Sequence, residues 1–415
     1  MRRWLGLAIL AALALALCGG QAQAGDPVLG WNQQTNLAVQ ATSTDPFNAA
    51  RALALESIAV LDTVKAIAGE RGFLVHVLAP PGLDPAVAAA AAGHAMLMRL
   101  FPSRQTALDA AFAVSLAGLP LQENRAQSQL FGAMIAHAVF VLRLGDGAEG
   151  TAAIRAGSAA GDWQPTPPRF LPPLHPQWAT VEPFAMRSPN QFRPPGPPGL
   201  GTPAFQSAIR ALTELGAAKS RSRTAEQTEI AHYWSDALGT YAPAGHWNAI
   251  ARSVMAQRQM GLMAEAELFA ELNVALADAC LAMADAKYTF WFWRPISAIR
   301  AGTAGVAAIP DWLPLLETPN HPSYISGHSS FSGAAALVLT AWLGVQEFRF
   351  GSESLPGVKR HFASFTAAAD EAAMSRVYGG IHFGFENTDG LVTGRAVGAW
   401  TMGVFKGVAL RRPAQ

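Results

Sequence analysis

Three short segments in the C-terminal third set chemically capable side chains among apolar residues. They are Lys287-Tyr-Thr-Phe-Trp-Phe-Trp-Arg294-Pro295, His321-Pro-Ser-Tyr-Ile-Ser326-Gly327-His328 and Ser375-Arg376-Val-Tyr-Gly-Gly-Ile-His382. Lys287 and Arg294 are seven residues apart, about two helical turns, a spacing that puts them on one helix face. Ser326-Gly327-His328 precedes an apolar helical stretch, so it supplies a helix N-terminus with free N–H groups and a glycine that allows close approach. Arg376 falls near the end of a helix, and His382 follows the Gly379-Gly380 turn. A lysine and two arginines around a helix N-terminus suit a tetrahedral oxyanion, the arginines as forked donors and the lysine as a point charge. Two histidines then supply a ligand or nucleophile and an acid–base group.

Each segment alone is common, as a solvated helix face, a cap or a turn histidine. Together, in this order within 96 residues, they resemble the Lys-x6-Arg-Pro, Ser-Gly-His, Ser-Arg-x5-His signature of the vanadium-dependent haloperoxidases and type 2 phosphatidic acid phosphatases. The stretch from Trp234 through His246 to Trp247, the run from Asp285 to Arg300 and the helix around Ala49-Arg-Ala-Leu-Ala are similar to soluble bacterial members of that superfamily. The resemblance extends over roughly residues 30 to 408. It implies that Lys287, Arg294 and Arg376 neutralise the oxygens of vanadate or phosphate, with Ser326 and the Gly327 N–H bonding others. It implies His328 as the acid–base group, and His382 as the vanadium ligand of a haloperoxidase or the nucleophile of a phosphatase.

Four positions differ from, or subdivide, the pattern. Ile325 stands where proline is usual before Ser-Gly-His, which loosens the loop without removing a chemical group. Glu386, four residues after His382, stands where an aspartate is common and on a helix would orient the imidazole. Ala284 lacks the tryptophan found near a chloroperoxidase halide site. His321 resembles the bromoperoxidase form of the loop, where chloroperoxidases carry phenylalanine, and implies preference for bromide or iodide.

Three functions follow from these residues. The first is a haloperoxidase that oxidises halide with hydrogen peroxide to hypohalous acid at a His382-bound vanadate and so halogenates a small organic acceptor. The second is a soluble acid phosphatase acting on phosphomonoesters through a phosphohistidine at His382. The third is a non-catalytic phosphate- or vanadate-binding protein of the cell envelope, for which a second histidine has no purpose. Trp291, Phe292 and Trp293 read as core, His175 and His246 as structural, and Cys280 as buried and inert.

The elements that must hold these groups read as helical. The chain has 415 residues, 51% hydrophobic and only 14% charged, with 30 basic and 29 acidic side chains for a net charge of +1. That balance excludes general disorder and argues against nucleic acid as a partner. Residues 1–24 read as an export signal, with Arg2 and Arg3 before an apolar stretch and Ala22-Gln23-Ala24 as a cleavage site. This implies a periplasmic or secreted protein, with a lipid anchor at Cys18 as the less favoured alternative. No later run is long enough to span a membrane. A homo-oligomer is left open.

Alanine and leucine abound and β-branched alternation is scarce, so the expected fold is all-α, one large helical bundle or two fused bundles. Asp45-Pro46, Asp84-Pro85 and Thr202-Pro203 are helix starts, and Thr224 with Gln227 is a capping box. Helices are expected over roughly 46–68, 85–100, 104–119, 123–144, 246–259, 263–289, 328–343, 361–378 and 385–408, and from Thr202 and Thr224 onward. Residues 165–203 hold 13 of the 28 prolines. Interspersed aromatics make this an ordered wrap packed over helices rather than a linker. The domain reading is a signal at 1–24, a helical region at 25–163, a Pro-rich connection at 164–203 and a helical domain carrying the oxyanion site at 204–415.

Overall fold

The computed structural model describes residues 26–408 except 122, 156 and 304; the proposed signal and Cys18 lie outside the described residues. The fold is all-α with a wrap, as the composition implied. Its helices are α1 (Pro27–Ala41), α2 (Pro46–Ala68), α3 (Pro85–Leu100), α4 (Gln105–Ala117), α5 (Arg125–Leu142), α6 (Pro203–Leu215) and α7 (Ala225–Tyr233). After these come α8 (Ala242–Met255), α9 (Leu262–Phe290), α10 (Pro295–Ala301), α11 (Gly327–Leu343), α12 (Phe365–Tyr378) and α13 (Gly384–Phe405). Asp45, Asp84 and Thr202 cap their helices with proline at the first turn, and Thr224 and Gln227 form the capping box.

The axis of the fold is α9. Every residue from Leu268 to Lys287 is buried, because apolar residues recur on every side of the helix and Asn273, Asp278, Asp285 and Lys287 among them find hydrogen-bond partners. It packs against α2 on one side and against α11 and α13 on the other. The most extensive pairing is α11 with α13. Gly394 makes this possible: a Cβ there would stand 2.1 Å from the Ser330 carbonyl oxygen of α11.

The proline-rich wrap is fixed. Buried Asp278 of α9 accepts hydrogen bonds of 2.7 Å from the N–H groups of Phe184, Ala185 and Met186. Arg193 makes a two-pronged ion pair with Asp285 at 2.6 Å. Trp163, Trp178 and Phe184 are buried, whereas Phe170 is exposed.

Three expectations about elements need correction. Helix α1 was not foreseen, because Asn32, Thr35 and Asn36 interrupt its apolar period. These residues are nonetheless buried, and Asn32 and Asn36 bond to Asn248 and to the Gly245 carbonyl. The helix expected over 361–378 begins only at Phe365, capped by Ser364. The preceding residues form a hairpin, β1 (Phe348–Gly351) with β2 (Lys359–Phe362), antiparallel with Phe348 opposite Phe362. Finally, Lys287 and Arg294 do not share a helix: α9 ends at Phe290, Trp291 takes a left-handed conformation and Arg294 precedes α10.

Candidate active site

Despite that break, all the predicted groups converge. Lys287, Arg294 and Ser326 are fully buried, and they lie behind the wall of a cavity of about 690 Å³. The wall itself is formed by His321, Gly327, His328, Arg376 and His382, with apolar surface from Phe47, Leu238, Leu316 and the wrap. Lys287 Nζ donates to the carbonyls of Pro322 and Ser323 at 2.8 and 2.9 Å, so the lysine holds the loop that leads into Ser326. Arg294 donates to the His321 and Ile381 carbonyls. Its remaining N–H groups meet His382 Nε2 at 3.2 Å and His321 Nδ1 at 2.9 Å.

These contacts assign protons. His382 Nδ1 lies 2.6 Å from Glu386 Oε2. With Nδ1–H donated to the carboxylate, Nε2 carries a lone pair that faces Arg294. Burial, followed by the Arg294 and Lys287 charges, pushes the His382 imidazole well below its ordinary range, which keeps it neutral. Glu386 also accepts from Ser323 Oγ and from the Phe383 N–H. Burial raises its carboxyl to about 7, against the pull of Lys287. The geometry behind this pair differs from expectation. His382 precedes α13, and Glu386 folds back from the first turn of that helix instead of following along a helix face. Ile325 is fully buried, not loose.

The cations are held under strain of burial. Desolvation lowers Arg294 to about 9 and Arg376 to about 10, so both remain charged at neutral pH. Burial and Arg294 push Lys287 well below the lysine range. Arg376 donates to the Trp234 carbonyl, while its Nε is buried without a partner. Ser326 caps α11, accepting from Ser329, and so its own hydroxyl proton stays available. The Gly327 and His328 N–H groups stand in the first turn, where no intrahelical acceptor exists.

One residue was missed. Asp236 Oδ2 stands 3.3 Å from His328 Nε2, and Oδ1 stands 2.9 Å from His246 Nδ1. Burial alone would raise the Asp236 carboxyl, but His246 and His328 together hold it far below the usual carboxylate range. Burial and Arg376 lower His328 to about 4. Asp236 belongs to the Trp234–Trp247 stretch already noted, and its left-handed φ of 46° is what aims it at the site. Cys280, Trp291, Phe292 and Trp293 are buried core residues, as read. His175 bonds to Asp45, the cap of α2.

A family description, the VCPO second helical-bundle domain, matches residues 267–409. The vanadium chloroperoxidase of Curvularia inaequalis is 27% identical over an alignment covering 46% of this chain and 42% of that protein. A bacterial vanadium-dependent iodoperoxidase superposes with a TM-score of 0.81 at 26% identity, covering 91% of this chain and 95% of that one. These matches together support a relationship to the vanadium haloperoxidase superfamily. A bacterial vanadium-dependent chloroperoxidase in its holo form shares the fold, with a TM-score of 0.69 at 18% identity over 88% of this chain. The chain spans less than half of the curated chloroperoxidase it matches.

The residues fit the cofactor of this superfamily. Three buried basic side chains, Lys287, Arg294 and Arg376, lie with two buried carboxylates: Glu386, engaged by His382, and Asp236, which faces His328 and Arg376. The cluster thus has three basic groups against two carboxylates, an orphaned buried Nε on Arg376 and a neutral imidazole Nε2 on His382. An oxyanion that also accepts a nitrogen ligand satisfies all three. Among the described residues, no helix is long and apolar enough to cross a membrane.

Proposed function

We propose that this protein is a vanadate-dependent haloperoxidase favouring bromide or iodide. The observation that carries the proposal is the His382 imidazole, fixed by Glu386 as the Nδ1–H tautomer with Nε2 offered into a ring of cations. His382 Nε2 would ligate vanadium, while Lys287, Arg294, Arg376, Ser326 and the Gly327 N–H would hold the oxygens. Bound vanadate supplies a Lewis acid that activates hydrogen peroxide toward halide without itself changing oxidation state. His328 would exchange protons with reactants in the cavity. Apolar walls would limit water and strengthen each charge interaction.

His321 supports the halide assignment. Its Nδ1 lies between the Arg294 guanidinium at 2.9 Å and the Pro322 carbonyl at 3.1 Å, and burial with the neighbouring Lys287 and Arg294 keeps the ring neutral. A neutral N–H donor suits a large, weakly hydrated halide. The solved relative of highest similarity reported above is an iodoperoxidase. The leader-like residues 1–24 support action outside the cytoplasm.

The test divides purified protein into vanadate-loaded and unloaded halves. Peroxide-dependent halogenation of a dione dye is expected only in the loaded half, with bromide and iodide well ahead of chloride. Efficient chloride oxidation would remove the halide assignment. Phosphomonoester hydrolysis by the unloaded half, without halide oxidation by the loaded one, would establish the phosphatase reading instead. His382→Ala must abolish either activity, or the site is misassigned.

A further inference from the structure

His246 takes no part in the chemistry above, does not line the cavity, and is buried in an aromatic box. Its ring stacks on Trp234 with centroids 4.5 Å apart and planes 17° apart, and it stands 5.6 Å from Tyr233 and 5.5 Å from Phe350. Such a box would accept a phenylalanine equally well. What the imidazole adds is a single polar contact, from Nδ1 to Asp236 Oδ1 at 2.9 Å, while Nε2 is buried without a partner. The bond therefore runs from Nδ1–H to the carboxylate.

The carboxylate needs that anchor. Asp236 sits in a left-handed turn. Ser354 accepts its N–H at 2.9 Å and donates to Oδ1 at a longer 3.3 Å. His328 Nε2, at 3.3 Å, is within ion-pair reach of Oδ2, and neither atom has another partner. A carboxylate free to rotate about its last torsion would lose that single contact first.

We propose that His246 is a positioning residue for the acid–base histidine: it locks the Asp236 carboxylate so that Oδ2 holds the His328 proton on Nε2 and leaves Nδ1 free to exchange. The inference rests on the functional reading above for its consequence, but not for its geometry. The other titratable groups around the pair are Arg376 from α12, which faces His328, and Tyr233 from α7, with Glu371 and Arg360 beyond it.

Two substitutions separate positioning from packing. His246→Phe keeps the ring stack and removes the donor; His246→Asn keeps a donor near the Nδ1 position and removes the ring. Positioning predicts that His246→Phe melts close to the wild type yet loses about 10- to 100-fold in kcat, with KM for halide unchanged and the pH–rate profile displaced. His246→Asn then recovers most of kcat even if it melts lower. Nitrogen-15 spectra of histidine-labelled protein give a readout independent of turnover: His328 is expected as the pure Nε2–H tautomer in the wild type and as a mixture in His246→Phe. A His246→Phe protein with wild-type kcat, pH profile and His328 tautomer overturns the proposal. A wild-type protein that oxidises no halide removes the functional reading, and the tautomer comparison then decides the positioning claim by itself.

Discussion

At the scale of single residues, the site is a set of tautomers and charges fixed by hydrogen bonds. Glu386 is the clearest case, since its one oxygen Oε2 receives His382, Ser323 and the Phe383 N–H. Replacing it with alanine frees His382 to place its proton on Nε2, which blocks ligation, and leaves the cations without their carboxylate. Glu386→Ala is expected to weaken orthovanadate binding about 10- to 100-fold, as measured by titration calorimetry. Unchanged affinity would show that the tautomer is set elsewhere. The residues legible from sequence were those whose type the chemistry dictates: Lys287, Arg294, His328, Arg376 and His382. Asp236 was not legible, because an aspartate 51 residues before Lys287 reaches the site only through a left-handed turn and a hairpin that carries its Ser354 support. Spacing contains no trace of such a path.

At the scale of elements, the site depends on how closely α13 approaches α11. The Ser326 N–H donates to the Glu386 carbonyl at 3.2 Å, so the start of one helix is bonded to the first turn of the other. Further along, the contact is backbone on backbone at Gly394. Gly394→Ala introduces a methyl group where 2.1 Å is available, and the helices must separate. A cost of about 1–3 kcal/mol is expected, typical of overpacking, read as a lower denaturant midpoint. Activity should fall more than stability alone explains, because separation also parts His382 from the Ser326–His328 turn. A variant of full stability and activity would show that the pair tolerates a wider spacing. The periodic, capped helices such as α2 and α3 were legible, since aspartate-proline starts act locally. Helix α1 and the hairpin were not, because their buried polar groups and strand pairing are satisfied by distant segments.

At the scale of the whole molecule, charge is scarce on average, and part of it lies in the driest part of the fold. One apolar core runs from Val28 in α1 to Val397 in α13, so the helix that carries Lys287 is buried partly by the N-terminal helices. The joint between them is polar: Asn32, Asn248, Asn273 and Ser57 form a buried hydrogen-bonded chain across α1, α8, α9 and α2. Beside it lies Glu56, buried in α2, which burial pushes up to about 8 despite a bond from Ser57 and the Arg252 charge. The folded state therefore keeps a proton that the unfolded chain releases near 4.5. Stability from this group is complete below that lower value and is lost as pH rises toward 8. At about 1.4 kcal/mol per pH unit the loss reaches a few kcal/mol. Glu265, also raised to about 8 by burial, acts in the same direction, whereas His328, lowered to about 4, costs stability as pH falls. The decisive quantity is thus the difference between the wild type and Glu56→Gln, which mimics the protonated acid. The two should melt together at pH 5, and Glu56→Gln should melt progressively higher than the wild type as pH approaches 8. A difference that does not change with pH would mean that Glu56 is ionised throughout and that Arg252 neutralises it inside the joint.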